Sequence, residues 1–293
     1  MTGEAFVGLL AGFVVTAVAW RSASPIFNQT LFERENFRGR LLVTSSGLVL
    51  APMMMFVAAL VTVLATLDID TANDIWLSTV VATVFTIGLV FLGLVDDLAG
   101  DGGSRGFRGH IGAGMRGQLT TGMVKLVGTV SLSLLVVSLL PRVTDGLLEL
   151  VRMALLLSLF VNLANLFDLA PARAAKVSIL PWLVTVLWHF DLDGQFGPAL
   201  VVGGALLLAL PELKEKAMLG DAGANALGGA IGVSFLIAWG EAAQWVAIAV
   251  ALLLTVASEK VSFSSVIKKT PALHWLDMLG REPLDQTEGP DLE

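Results

Sequence analysis

Apolar residues along this chain come in long unbroken runs, not in alternation with polar ones. Nine of the runs reach the roughly 17–25 residues needed to cross a hydrocarbon core of about 30 Å. They fall at about 4–20, 46–67, 75–95, 119–140, 146–167, 174–190, 194–210, 222–239 and 241–258. Continuous runs exclude a transmembrane β-barrel, whose strands alternate lipid-facing and lumen-facing residues. The pattern predicts an all-α fold, a polytopic membrane helix bundle of about nine transmembrane helices. The runs are rich in Gly, Ala and Ser, which lets helices approach closely in lipid. Residues 1–259 then form a transmembrane domain and 260–293 a tail. In the tail, Lys268–Pro271 interrupts the pattern and a short amphipathic piece follows (Leu273, Trp275, Leu276, Met278, Leu279). That piece suits either the membrane surface or packing against the bundle.

Orientation follows from the cations. Taken alternately from the first run onward, one set of loops and the tail hold fifteen of the eighteen Lys and Arg, while the other set holds only Arg142. The remaining two, Lys125 and Arg152, lie inside runs. Positive residues collect on the cytoplasmic side, so the expectation is an N-terminus outside, a C-terminus in the cytosol and an odd number of spans. The tail is then cytosolic.

Composition agrees. The chain is 55% apolar and 15% charged, with mean hydropathy +0.80; a soluble domain is about 25% charged. It has no cysteine, which excludes disulfides, thiolate metal sites and a cysteine nucleophile. A net charge of −7 argues against nucleic acid as a partner. Much of that charge belongs to the acidic end of the tail (Asp277, Glu282, Asp285, Glu288, Asp291, Glu293). No cleavable signal peptide is expected, because Glu4 precedes the first run without a basic segment.

Polar residues at the run ends gather on one face. Asp96 and Asp97 end the third run, Asn162, Asn165 and Asp168 end the fifth, and Asp221 opens the eighth. By the orientation above, all six lie at the cytosolic boundary. Acids at a helix C-terminus oppose its dipole, so a pair there, near two further acids, points to a cation. Oxygen-only donors suit a hard ion such as Mg²⁺, which also binds substrate phosphates. Two glycine-rich segments suit phosphate as well. Residues 100–117 carry Arg105, Arg108, His110 and Arg116, and Gly220 and Gly223 bracket Asp221 where a helix starts. Helix–helix hydrogen bonding is the competing account of the Asn stripe.

These residues resemble a known family. Gly93-Leu94-Val95-Asp96-Asp97 is similar to the Asp-Asp motif of the polyprenyl-phosphate glycosyl-1-phosphate transferases, the MraY/WecA-like superfamily (glycosyltransferase family 4). Asn162-Leu163-Ala164-Asn165-Leu166-Phe167-Asp168 resembles its Asn-x-x-Asn-x-x-Asp motif, and Leu219–Gly228 its Gly-Asp-x-Gly-Ser-x-x-x-Gly motif. Lys125 falls where that family carries a lysine, and Asn36–Arg40 with Gly47 resembles its segment entering the second span. The chain departs from the family at Gly100, where a lysine is common, and at Pro171, where an acid is common. It also lacks the late histidine motif, Glu259–Ser264 standing in that region. His189 and His274 lie away from the motifs and are not candidates.

The resemblance implies a reaction and a set of roles. A polyprenyl phosphate such as undecaprenyl phosphate would attack the β-phosphate of a UDP-N-acetylhexosamine type donor. The products would be a lipid-pyrophosphate sugar and UMP, as in cell-wall biogenesis. Asp96, Asp97 and Asp168 would be catalytic and Asp221 and Asp97 would ligate Mg²⁺. Asn162, Asn165, Lys125 and Arg173 would bind substrate, Arg173 with Lys176 supplying phosphate contacts. The implied partners are a polyprenyl phosphate lipid, a nucleotide-sugar donor and the cell membrane, with a homodimer left open. Two other readings fit the same residues: a catalytically silent relative that binds lipid phosphate or nucleotide sugar, and an ion-coupled transporter.

Overall fold

The computed structural model describes residues 3–27, 29–36, 38–99, 120–140, 146–189 and 193–282. The glycine- and arginine-rich segment with Arg105, Arg108, His110 and Arg116 lies outside them, as do Gly100, Arg142 and the acidic end beyond Glu282.

The described chain is a bundle of helices: α1 Glu4–Ala23, α2 Leu50–Thr66, α3 Asp70–Ala99, α4 Thr121–Ser138, α5 Leu147–Phe167, α6 Arg173–Trp188, α7 Phe196–Leu213, α8 Gly220–Ala238 and α9 Glu241–Ser258, then short α10 Phe263–Lys269 and α11 Pro271–Met278. Among the described residues, eight helices are long and apolar enough to cross a membrane. The sixth expected span, 174–190, is α6, which has 16 residues with Pro181 inside. At 1.5 Å per residue it reaches only about 24 Å, short of the hydrocarbon thickness, because it ends at Trp188, with His189 as its C-cap. The third span extends further than its apolar run. α3 has 30 residues, so Asp96 and Asp97 sit in its last turn, not beyond it.

Burial runs from the centre outward. α7 and α8 are enclosed for most of their length, while α1, α2, α4 and α9 turn residues such as Leu10, Phe56, Val127 and Leu253 outward. A lipid-facing helix needs no polar outer face, so these exposed apolar residues are consistent with a multi-pass membrane protein. Close approach at the centre depends on small residues. A Cβ on Gly12 would stand 2.0 Å from the Leu200 carbonyl oxygen, and one on Gly203 2.0 Å from that of Leu9, so α1 and α7 touch backbone to backbone.

One element escapes an all-helix reading. Between α1 and α2, β1 Glu33–Glu35 pairs antiparallel with β2 Leu41–Val43. β2 continues the pairing onto the turn before α8: Met218 N–H donates to the Val43 carbonyl at 2.6 Å, Ser46 N–H to that of Met218 and Gly47 N–H to that of Leu219, both at 3.1 Å. Asn36 caps the ribbon's loop, its Oδ1 accepting from the N–H groups of Arg38 and Arg40. Its Nδ2 donates to Glu215, which also meets Arg38 at 2.6 Å. The segment is a brace for the turn that precedes Asp221.

Candidate functional site

The C-terminal ends of α3, α5, α7 and α9 and the N-terminal ends of α4, α6 and α8 share one end of the bundle, and the polar residues singled out in the sequence meet there. α8 begins without a capping side chain of its own; its cap position is Leu219. Asp97 of α3 takes that role. Its Oδ1 accepts from Asp221 N–H at 2.9 Å, and its Oδ2 from Ala222 N–H at 3.3 Å and from the Ser45 hydroxyl at 2.8 Å. The acid that opposes the dipole of α3 thereby complements the positive end of α8. Two geometric facts allow it. Gly220 holds φ +71, and a Cβ there would lie 2.6 Å from Asp97 Oδ2. At Gly93 a Cβ would meet the Asp221 and Ala222 backbone at 2.4 Å, so only glycine lets α3 lie this close to α8.

Beside this junction, the Lys125 ammonium of α4 is bonded to Asp221 and lies 3.6 Å from Asp96. With its amide oriented by these neighbours, Asn165 donates to Asp221 Oδ1 at 2.6 Å and accepts from Lys125 at 3.0 Å. Four helices therefore converge on one cation and two carboxylates. Asn162, three residues earlier and about 60° around the helix, instead donates to Thr255 of α9 at 3.0 Å. Helix–helix bonding accounts for Asn162, while Asn165 belongs to the charged cluster.

Two cavities adjoin the Lys125–Asp221 pair. One, about 300 Å³, runs between α4, α5 and α9, with Lys125, Asp96, Asn162 and Asn165 at its polar part and Leu126, Val161 and Leu166 along its wall. The other, about 390 Å³, is lined by Asn36, Asp97, Asp168, Pro171, Gly220 and Asp221 among others. Burial, then the negative charge of Glu212, Asp221 and Asp97, pushes the Asp168 carboxyl well above the usual range, with Lys125 opposing.

The sequence reading passed over two residues here. Glu212, at the end of α7, is 4% exposed, lines the second cavity and accepts from Leu219 N–H at 3.2 Å. Its signal was a carboxylate directly after an apolar run, next to Pro211. Ser45 gave no signal, since its role arises only from folding. Arg173 is in a different place from the cluster around Asp221. Its guanidinium binds Asp277 of α11 through two bonds, 2.8 and 3.0 Å, and Ser264 of α10 at 2.7 Å. Lys176 donates to the Asp277 carbonyl at 2.7 Å, and Arg281 reaches the Asp277 carboxylate at 2.6 Å. Burial works against ionisation of Asp277, but the Arg173 bond and the charges of Arg281, Arg173 and Lys176 win, holding its carboxyl below the ordinary range.

Among the described residues, no group of three or more acids and histidines has an arrangement that could hold a metal ion. Asp97 is committed to α8, and Asp221 and Asp96 share Lys125. This donor set does not fit an all-protein cage. It does fit Mg²⁺ held by one or two carboxylates together with waters and substrate phosphates. Comparison of the sequence with protein-family models and with curated proteins gives no match.

Proposed function

We propose that this protein transfers a phospho-sugar from a nucleotide-sugar to a polyprenyl phosphate at the cytosolic face of the cell membrane, as its resemblance to the MraY/WecA-like transferases implies. One observation carries the reading: Lys125, a cation inside a membrane helix, joins Asp221 where two cavities adjoin. An amphiphilic acceptor and a soluble donor need such a meeting point. The apolar wall of Leu126, Val161 and Leu166 suits an isoprenoid chain, with its phosphate at Lys125 and Asp96. The cavity beside Asp97, Asp168 and Asp221 suits the donor pyrophosphate.

In this scheme a lipid-phosphate oxygen attacks the donor β-phosphorus, and the bond to the bridging oxygen breaks, releasing UMP. Lys125 orients the attacking phosphate and offsets its charge; Asp96 positions Lys125. Asn165 sets the rotamer of Asp221, Asp97 holds the start of α8, and Asp168 with Asn162 borders the bound substrates. Asp221 is the residue that would hold Mg²⁺, and Asp97 orders the backbone that carries it. When bound, the ion supplies neutralisation of the pyrophosphate charge.

The test uses purified protein in lipid nanodiscs with undecaprenyl phosphate, Mg²⁺ and a panel of UDP-sugars, scored for UMP. Release that Asp221→Asn lowers by about 10²–10³, as for loss of one stabilising group, supports the transferase. Pro171 and the engagement of Arg173 by Asp277 favour a second reading, a silent relative that binds lipid phosphate without turnover. No UMP from any donor, with lipid-phosphate binding abolished by Asp221→Asn, would establish that reading instead.

A further inference from the structure

The amphipathic piece of the tail is mostly uncovered. On α11 only Asp277 and Met278 turn toward the bundle, while Leu273 is 42%, Trp275 65%, Leu276 49% and Leu279 47% exposed. At 100° per residue, Pro271, Ala272, Leu273, Trp275, Leu276 and Leu279 fall within about 200° of arc, and Asp277 lies outside it. A helix with one apolar face, anchored through its other side, has a surface left over for a partner.

We propose that α10 and α11 form an interfacial foot that lies on the anionic inner leaflet of the bilayer around this same protein. Three features select a lipid surface as the occupant. First, α9, itself apolar enough to span a membrane, ends at Ser258, and α10 begins at Phe263, so only 259–262 separate the tail from the hydrocarbon boundary. Second, Phe263 stacks on Phe167 with ring centroids 5.1 Å apart, which fixes the root of α10 at the end of α5. Third, Lys260, Lys268 and Lys269 lie on this short segment and are exposed, beside exposed Val261 and Val266. Lysines flanking an apolar arc with a Trp match a headgroup layer, where the aromatic ring sits at the interface and the ammonium groups meet lipid phosphates. The clamp of Arg173, Lys176 and Arg281 on Asp277 holds the foot from its protein side, so its apolar arc faces away from the bundle. The inference needs the membrane reading of the bundle and is independent of the transferase chemistry.

The absence of cysteine makes the test direct, because single cysteines can be labelled without background. Nitroxide labels would be placed by Leu276→Cys, Leu279→Cys and His274→Cys, in nanodiscs of phosphatidylcholine alone or with phosphatidylglycerol. Accessibility to oxygen, which partitions into lipid, is compared with that to a water-soluble nickel chelate. The expected result is several-fold oxygen preference at Leu276 and Leu279, the reverse at His274, and a stronger contrast with phosphatidylglycerol. Changing Lys260, Lys268 and Lys269 together to Gln should abolish that lipid dependence while leaving thermal unfolding of the bundle unchanged. Equal nickel access at all three positions would overturn the proposal. So would protection that is the same in both lipids and accompanied by short label-to-label distances, which would identify a second copy of the chain as the occupant.

Discussion

The Asp97 carboxylate caps a helix to which it does not belong: it accepts from the main-chain nitrogen of Asp221, 2.9 Å away, and with Ala222 N–H closes the first turn of α8. The aspartate pair and the glycine-aspartate motif are one structural unit, bonded across 124 residues of sequence. The cap also fixes where the Asp221 side chain starts from, which couples the stability of the turn to the geometry of the charged cluster.

Removing the cap should therefore loosen α8 first. Asp97→Ala leaves two helix-start N–H groups without their acceptor, and loss of a cap costs about 1–2 kcal/mol. Asp97→Asn keeps one acceptor oxygen and should cost less. Thermal unfolding in nanodiscs gives the order wild type, Asn, Ala. An Ala variant as stable as wild type would mean that the turn is held by the ribbon of β1 and β2 instead.

Lys125 balances two carboxylates within the bundle, so its neutral replacement has a sign that can be checked. Lys125→Met leaves Asp96 and Asp221 facing each other without a cation, and like charges disfavour joint ionisation. The expected outcome is lower stability, recovered when Asp96→Asn is added. If the proposed function holds, UMP release falls by about 10²–10³ in the single variant and does not return in the double one. Recovery of stability without recovery of turnover separates the two roles.

Backbone contact at the site predicts steric sensitivity at two glycines. A Cβ at Gly47 would stand 2.1 Å from the α-carbon of Gly223, and one at Gly93 2.4 Å from Ala222 N, whereas Gly240 has nothing within 4 Å. Gly47→Ala and Gly93→Ala should each cost about 1–3 kcal/mol as overpacking does. Gly240→Ala should be close to neutral in the same melt.

The tail clamp has a pH window. The folded Asp277 carboxyl titrates below its ordinary value of about 3.9, so docking contributes fully above that value and is lost as pH falls through the lower folded pKa. Protease cleavage between α9 and α11 should therefore rise only below about pH 4. Asp277→Asn, which removes the carboxylate charge that Arg173 and Arg281 pair with while leaving the main-chain acceptor of Lys176, should raise it already at pH 7.

Topology can be read with reporters. One fused after Glu293 should report the cytosol, and one inserted between Asp68 and Ile69, in the turn joining α2 to α3, the opposite side. A C-terminus on the outer side would place the charged cluster there too and remove the proposed donor's access.

The helical, apolar character of the spans and the identity of the polar residues at their ends were legible because a bilayer demands them locally, whereas nine were expected and eight helices reach membrane length among the described residues. Each span must be apolar over a fixed length, and any acid in it stands out. The sequence could also nominate Asp96, Asp97, Asn165, Asp168, Lys125 and Asp221, since polar groups at the ends of membrane helices are costly. What it could not allot was partners. That Asp97 would serve the start of α8 and Asp96 would face Lys125 depends on where the last turn of α3 points. That turn exists because α3 continues past its apolar run. Asn162 and Asn165 share a motif, yet an offset of about 60° around the helix sends one to Thr255 and the other to Asp221. Arg173 and Asp277 are 104 residues apart, and their pairing leaves no trace in local pattern. Local composition dictates what a segment must be; only the packing of α3, α4, α5 and α8 against one another decides which charges meet.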